Sequence, residues 1–448
     1  MDRRTFLSLA AAGTVGLPAA LAQPAIAADA ALNAASLGLV PGSTDDQSAL
    51  LQAALQQASA EDRPLFLPPG RYVVANIALP TRARLVGIRG ATHLLYGGSG
   101  GFFFGQGLDL AQMAGIIFDD GGRPLPGDAP GLVYLAGIAA VHIEGCAFRG
   151  GSTAALAMDE CGGRIAGNDV TGAGEGIRAI GSTGLAITGN TVTDCSNNGI
   201  LVFRWEEGED GTIVTGNRVE RIAAAAGGTG ENGNGINVFQ AGSVTVSDNR
   251  IADCAFTAVR ANTADNVIIA GNNCSRLGEV GLYAEFGFQG AVVANNIVDT
   301  AAVGISIANF NDGGRIATVM GNVIRNLSTT GPYPEDGAGF GIGIAAEADV
   351  AISTNVIDGA PKAGVWLGWG PFLRSASVAS NIIRDTAIGV AVTVVEGAGS
   401  ALIAANVISA VRQGAVVGMN YAEPATGDLV LGGADAFPQL RIEGNQVG

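Results

Sequence analysis

Two pairs of polar residues recur at one interval. Arg260 and Tyr283 are 23 residues apart, and so are Asn262 and Glu285. Residues two apart on a strand share a face. If positions 23 apart stack in adjacent strands, the four side chains form one patch of guanidinium, phenol, amide and carboxylate. Such a patch suits a uronic acid. β-Elimination or epimerisation needs a base for the proton alpha to the carboxylate, a cation to neutralise that carboxylate, and a proton donor. Arg260 matches the cation, and Tyr283 or Glu285 the proton carrier, making these three the candidate catalytic residues. Hydrolysis needs two carboxyl groups, but Glu285 has no outward partner on the adjoining repeats, and Asp159, Glu160 and Glu347 lie repeats away. The competing reading is an Arg260–Glu285 ion pair on a solvated sheet, which contributes about 0–1 kcal/mol.

The same repeat position holds Arg178, Leu201, Asn237, Arg260, Tyr283, Ser306 and Trp366. Arg204, Trp205, Gln240, Asn309 and Trp369 follow just past it. Aromatic faces stack on pyranose rings, while Arg and amide groups bond hydroxyls or carboxylates. Arg178, Arg204, Asn237, Gln240, Asn262, Asn309, Trp366 and Trp369 are therefore candidate substrate-binding residues. Extra residues at 227–234 and 328–339 precede this segment, and others at 205–211 and 309–314 follow it. Solenoid insertions map to loops, often on the binding face, so these should wall the patch on both sides.

The segments that carry these residues form a repeat. Gly-Asn or X-Asn, then an apolar residue two positions on, recurs at Asn168, Asn190, Asn217, Asn249, Asn272, Asn295, Asn322, Asn355, Asn381, Asn406 and Asn445. A small residue followed by an apolar one comes eight or nine positions later, as in Gly176-Ile177 and Gly281-Leu282. The reading is an all-β, right-handed parallel β-helix of about 13 coils, with repeats of about 23 residues. Two strands per coil alternate inward and outward side chains. Asn suits a left-handed turn, and stacked Asn side chains can bond along a ladder. Their role is structural. The outward positions before the Asn, among them Thr188, Thr215, Ser247 and Ala270, are small, and no chemistry is expected on that face.

Before the repeats, residues 45–58 read as a capping helix with Asp45 or Thr44 as N-cap. The two segments DDQSALLQAAL and PLFLPPGRYVV resemble the opening of pectate-lyase-like β-helix proteins, in which the helix covers the open end of the solenoid. Residues 1–27 read as an export signal. Asp2-Arg3-Arg4-Thr5-Phe6-Leu7-Ser8 matches the twin-arginine pattern, an apolar run spans 9–21, and Ala25-Ile26-Ala27 (or Ala20-Leu21-Ala22) is the cleavage site. The run is too short to span a membrane. Residues 28–448 then form one domain. Signal and repeats together resemble an uncharacterised family of twin-arginine-translocated β-helix repeat proteins. More distantly, the chain is similar to alginate epimerases and pectate lyases. The first resemblance implies export and fold without a reaction, and shared fold alone assigns none.

Composition agrees with a solenoid. Gly provides 69 of 448 residues and charged residues only 14%, against about 25% in an ordinary domain, and mean hydropathy is +0.34. The net charge of −16 excludes nucleic acid as a general partner. Five cysteines without a CxxC spacing, and only two histidines, give no zinc or triad pattern. The cysteines read as small core residues. Glu206, Glu207, Glu209 and Asp210 form an acidic loop, either a solvated turn or a weak calcium candidate; no metal site is assigned. The expectation is a periplasmic or extracellular protein whose partners are the twin-arginine export machinery and a polysaccharide or oligosaccharide. It would bind that glycan and process it by lyase- or epimerase-type chemistry. The alternative is a non-catalytic envelope scaffold or glycan-binding protein.

Overall fold

The computed structural model describes residues 31–309, 313–334 and 337–448. The signal segment 1–27 lies outside them. Parallel strands stack in register through about 14 turns, one more than the repeat spacing suggests. Each coil carries three strands, not the two expected. Thr245–Ser247, Arg250–Cys254 and Val259–Asn262 make up one coil. The unforeseen strand begins at or just after the residue following the Asn. It is often only three residues long, as in Thr191–Thr193, and reads in sequence as part of the turn. One strand series forms a 16-stranded sheet, and the other two share a 27-stranded sheet. These two fuse where Val356–Leu367, Ile382–Thr393 and Val407–Asn420 run unbroken through a corner.

The inward positions stack like with like. Ile187, Val214, Val246, Ile269, Val293, Val319, Ile352, Val378 and Ile403 form one continuous column with no exposed surface. Each such side chain contributes about 1.5–3 kcal/mol by leaving water. All five cysteines are buried and unbridged. Burial pushes the Cys146, Cys195 and Cys274 thiols up to about 12, as suits small core residues.

The Asn ladder is present, with two corrections. It passes from Asn272 to Asn296, not Asn295: Asn272 Nδ2 donates to Asn296 Oδ1 at 3.0 Å. In addition, the left-handed residue is the one before the ladder Asn. Gly189, Gly216, Asp248, Gly271 and Asn295 have φ of 63°, 65°, 55°, 70° and 58°. The sharp turn falls on that residue, which frees the next Asn to point inward. Each ladder amide before the last, Asn445, then bonds its successor and a backbone carbonyl. Asn249 Nδ2, for example, donates to Asn272 Oδ1 and to the Val214 carbonyl, both at 3.0 Å.

The helix Ser48–Ala60 closes one end and buries Leu51, Ala54, Leu55 and Ala58. Its N-cap is Gln47 rather than Asp45 or Thr44. The Gln47 amide is occupied in holding Val40, accepting from its N–H at 2.7 Å and donating to its carbonyl at 3.1 Å. Asp46 instead accepts from the Ser48 N–H at 2.9 Å. At the other end, Glu423–Asp428 folds back antiparallel on Val407–Asn420. After that hairpin the chain rejoins the parallel stack, and Asn445 closes the ladder on Asn406 at 2.9 Å. The long gap before Asn445 is therefore a hairpin inserted into a coil.

Candidate functional site

The repeat interval places the four polar residues as expected. Strand Val259–Asn262 lies beside Val280–Glu285, with Arg260 opposite Tyr283 and Asn262 opposite Glu285. Arg260 Nε donates to Glu285 Oε1 at 2.6 Å, and Asn262 Nδ2 donates to the same oxygen at 2.7 Å. The guanidinium carbon sits 5.4 Å from the centre of the Tyr283 ring. The pair is not on a solvated sheet, since the Arg260 and Glu285 side chains are 14% and 2% exposed.

Its cover is the 227–234 insertion, which folds over Arg260 rather than only walling it. A Cβ on Gly230 would fall 1.5 Å from Arg260 Nη1, so a larger residue would push the guanidinium aside, and the φ of +138° there itself favours glycine. Asn198 and Asn237 both donate to the Glu231 carbonyl, at 3.1 and 3.4 Å, and Asn234 donates to the Gly230 carbonyl at 2.8 Å. Asn237 thus anchors the loop.

A residue missed in the sequence completes the cluster. Glu279, in the turn before Val280–Glu285, is 2% exposed. It accepts from Tyr333 Oη at 2.6 Å and from Thr257 Oγ1 at 2.8 Å. Burial raises its carboxyl above the usual range, although the Tyr333 and Thr257 bonds and the Arg260 charge pull it down. Burial, then the Glu285 and Glu279 carboxylates, also push the Tyr283 phenol up, which keeps it protonated. Glu279 precedes the strand's inward-outward alternation, so periodicity gave no signal for it. Both carboxylates are enclosed, and Glu279 has a bond to each oxygen. A hydrolytic pair must flank its substrate, so this one does not supply that chemistry.

Tyr283 joins the cluster to a cavity of about 480 Å³, lined by Ser306, Tyr333, Phe340, Trp366 and Trp369 among others. Trp366 shares the outward column with Tyr283, while Tyr333 comes from the 328–339 insertion. The Lys362 ammonium lies 5.7 Å from the Trp366 ring centre, and Trp369 packs edge-on to Tyr421.

The remaining predicted residues lie elsewhere. Arg178 is three coil steps away in the same column. Arg204 Nη1 reaches the Ser182 carbonyl at 3.5 Å and lies 3.9 Å from Asp210. The Gln240 side-chain amide faces the Arg204 and Trp205 carbonyls at 3.0 and 3.1 Å and donates to both when its nitrogen is assigned to that side. Asn309 is buried and donates to the Gly314 and Ala348 carbonyls at 3.0 and 2.9 Å. Gln240 and Asn309 therefore hold loops. Glu206, Glu207 and Glu209 are exposed on the strand Asn198–Glu209, and among the described residues no group of three or more His, Cys, Asp or Glu is placed to hold a metal.

The opposite, 16-stranded face also carries a groove, of about 770 Å³. Its charges are engaged with one another. Arg374 lies 2.8 Å from Asp349, Arg315 lies 4.0 Å from it, and Arg441 lies 2.8 Å from Glu443. The rest of its lining is mainly small, such as Thr318 and Ser377.

Strands, ladder and outward columns define a solenoid whose variable features gather on one face. Residues 131–231 and 205–383, together more than half of the chain, match the right-handed β-helix region family model. The chain belongs to that family. Solved structures are similar to the chain at low identity. The N-terminal fragment of bacteriophage phi29 gene product 12 is 12% identical, with a TM-score of 0.50 and 93% of each chain covered. PfbA, a surface adhesin of Streptococcus pneumoniae, is 14% identical with a TM-score of 0.43, covering 89% of this chain and 95% of its own. The A-module of the Azotobacter vinelandii mannuronan C-5 epimerase AlgE6 is 13% identical with a TM-score of 0.41, covering 93% and 99%. No curated protein matches the chain. Among the described residues, no helix is long and apolar enough to cross a membrane.

Proposed function

We propose that the chain is an exported glycan-binding protein that holds its ligand on the face carrying Arg260, Tyr283 and Trp366. The observation that carries this reading is the cavity beside the polar cluster. Aromatic rings of Tyr283, Tyr333, Phe340, Trp366 and Trp369 surround about 480 Å³, with the Tyr283 phenol at its edge. Rings supply stacking area for a sugar, and the polar edge supplies orientation. Export rests on the twin-arginine pattern in residues 1–27, which makes the export machinery a partner and the periplasm or exterior the destination. The resemblance to twin-arginine-translocated repeat proteins belongs to the same reading.

Lyase- or epimerase-type chemistry on a uronic acid would use Tyr283 as proton donor, with Arg260 as the nearest cation. A substrate carboxylate would then compete with Glu285, which already holds Arg260 at 2.6 Å. That enclosed pairing favours binding without turnover. The test is incubation with alginate, pectate and glycosaminoglycans, with and without calcium, following the ultraviolet absorbance of unsaturated uronates. The expected result is no rise above buffer. A rise that Tyr283→Phe abolishes would replace the binding reading with a lyase.

A further inference from the structure

A second cavity, of about 410 Å³, adjoins the aromatic one and shares Phe340 and Trp366 with it. Thr329, Lys362, Gln413 and Met419 also line it, and among the described residues its lining holds no aspartate or glutamate. The room comes from the repeat. Trp366 stands between Ala345 and Ala391 of the adjoining coils, and the same register sets Lys362 between Gly341 and Ala387. Two long side chains therefore rise from rows of small residues, and the space beside them stays open.

Lys362 is the sole lysine among the 448 residues and the one charged side chain in this lining. It is half-buried. Its ammonium lies 5.7 Å from the Trp366 ring centre and, among the described residues, meets no carboxylate or other hydrogen-bond acceptor. A ring face attracts an ammonium but leaves its three N–H donors without an oxygen. The arginines of the groove on the opposite face are placed differently, since Arg315 and Arg441 lie against Asp349 and Glu443. At the rim of the Lys362 cavity, Arg412 lies 3.1 Å from Asp385 and donates to the Pro361 carbonyl at 2.9 Å. That acid is therefore already countered by an arginine, and Lys362 remains the uncompensated charge facing the cavity.

We propose that the Lys362 cavity is an anion-holding subsite, in which a carboxylate or sulfate on a sugar unit sits at the Lys362 ammonium while neighbouring units continue past Trp366 into the aromatic cavity. This rests on the glycan reading above and adds the ligand's class, an acidic oligosaccharide. A half-buried cation without a counter-charge attracts an anion more strongly than one in open water. Carboxylate and sulfate both present anionic oxygens to N–H donors, so the chemistry is shared. A neutral sugar would leave the ammonium uncompensated, and a cationic one would be repelled by it. Thr329 and Gln413 are the polar side chains available to hydroxyls of the same unit.

The test joins calorimetric titration with chemical protection. The mature protein and Lys362→Met, which keeps the length of the side chain without its charge, are titrated with oligouronates, sulfated oligosaccharides and neutral gluco-, xylo- and manno-oligosaccharides. In parallel the protein is treated with an acetylating ester, and peptide mass spectrometry follows the one lysine. The expected result is binding of an acidic series, at least tenfold weaker in Lys362→Met, and slowed acetylation of Lys362 under that series but not under neutral sugars. Which acidic series binds tells carboxylate from sulfate. Equal acidic binding by both proteins, acetylation unchanged by the bound acidic sugar, or binding of neutral sugars alone would overturn the subsite while leaving the glycan reading in place. Binding of none of the sugars would overturn both.

Discussion

Arg260 Nε and Glu285 Oε1 lie 2.6 Å apart beneath the 227–234 loop, in side chains 14% and 2% exposed. An enclosed ion pair is maintained at the expense of desolvating both charges. Removing one partner therefore has larger consequences than breaking a surface pair, and these bear on how variants at the site are interpreted.

Arg260→Ala should destabilise the protein by about 3–5 kcal/mol, because it strands the Glu285 carboxylate with Asn262 as its remaining partner. Arg260→Met combined with Glu285→Leu should be less destabilised than either single change. Urea denaturation of the three variants checks this. Additive losses would show that the charges do not depend on one another.

Gly230→Ala should cost about 1–3 kcal/mol, since its φ of +138° is unfavourable and its Cβ would meet Arg260. Gly227→Ala, at φ +77° with nothing within 4 Å, carries the backbone strain alone and should cost less. Denaturation midpoints and hydrogen exchange in 227–234 separate the two, and equal effects would contradict the close approach over Arg260.

Asn296→Ala should be strongly destabilising. It orphans bonds to Asn272 and Asn322 in a buried ladder, about 1–3 kcal/mol for each unsatisfied group. Asn295→Gly should be nearly neutral, because the left-handed turn there suits glycine. The reverse order in thermal unfolding would restore Asn295 to the ladder.

Glu279 should give stability a pH dependence of defined sign. Burial raises its folded-state value above the ordinary 4.5, so the folded protein keeps this proton longer than the unfolded chain. The contribution is fully present below the unfolded value and is lost as pH rises through the folded one. The stability of wild type minus that of Glu279→Gln should therefore fall as pH rises from about 4.5. A flat difference would place the carboxyl in a water-like setting, and a rising one would mean that the Tyr333, Thr257 and Arg260 interactions outweigh burial.

The outward columns were legible because a strand period of two and a repeat of about 23 are both written in apolar residues. Arg260–Tyr283, Asn262–Glu285 and Trp366 fell where that arithmetic puts them. Glu279 and Tyr333 lie in a turn and an insertion, where no period applies. Gly230 illustrates a further limit. Spacing announces that a loop is inserted, but not that it folds over the arginine beneath it. Asn295 and Asn296 show that one extra residue in a coil defeats a fixed count, since only the hydrogen bonds tell which of the two belongs to the ladder.

The most direct test of the glycan-binding claim is equilibrium binding of a soluble oligosaccharide panel, neutral and uronate, to wild type and to Trp366→Ala. The account predicts saturable binding of at least one sugar by wild type and its loss in the variant, with strand content unchanged by circular dichroism. Failure of the whole panel to bind, or equal binding by both proteins, would contradict it.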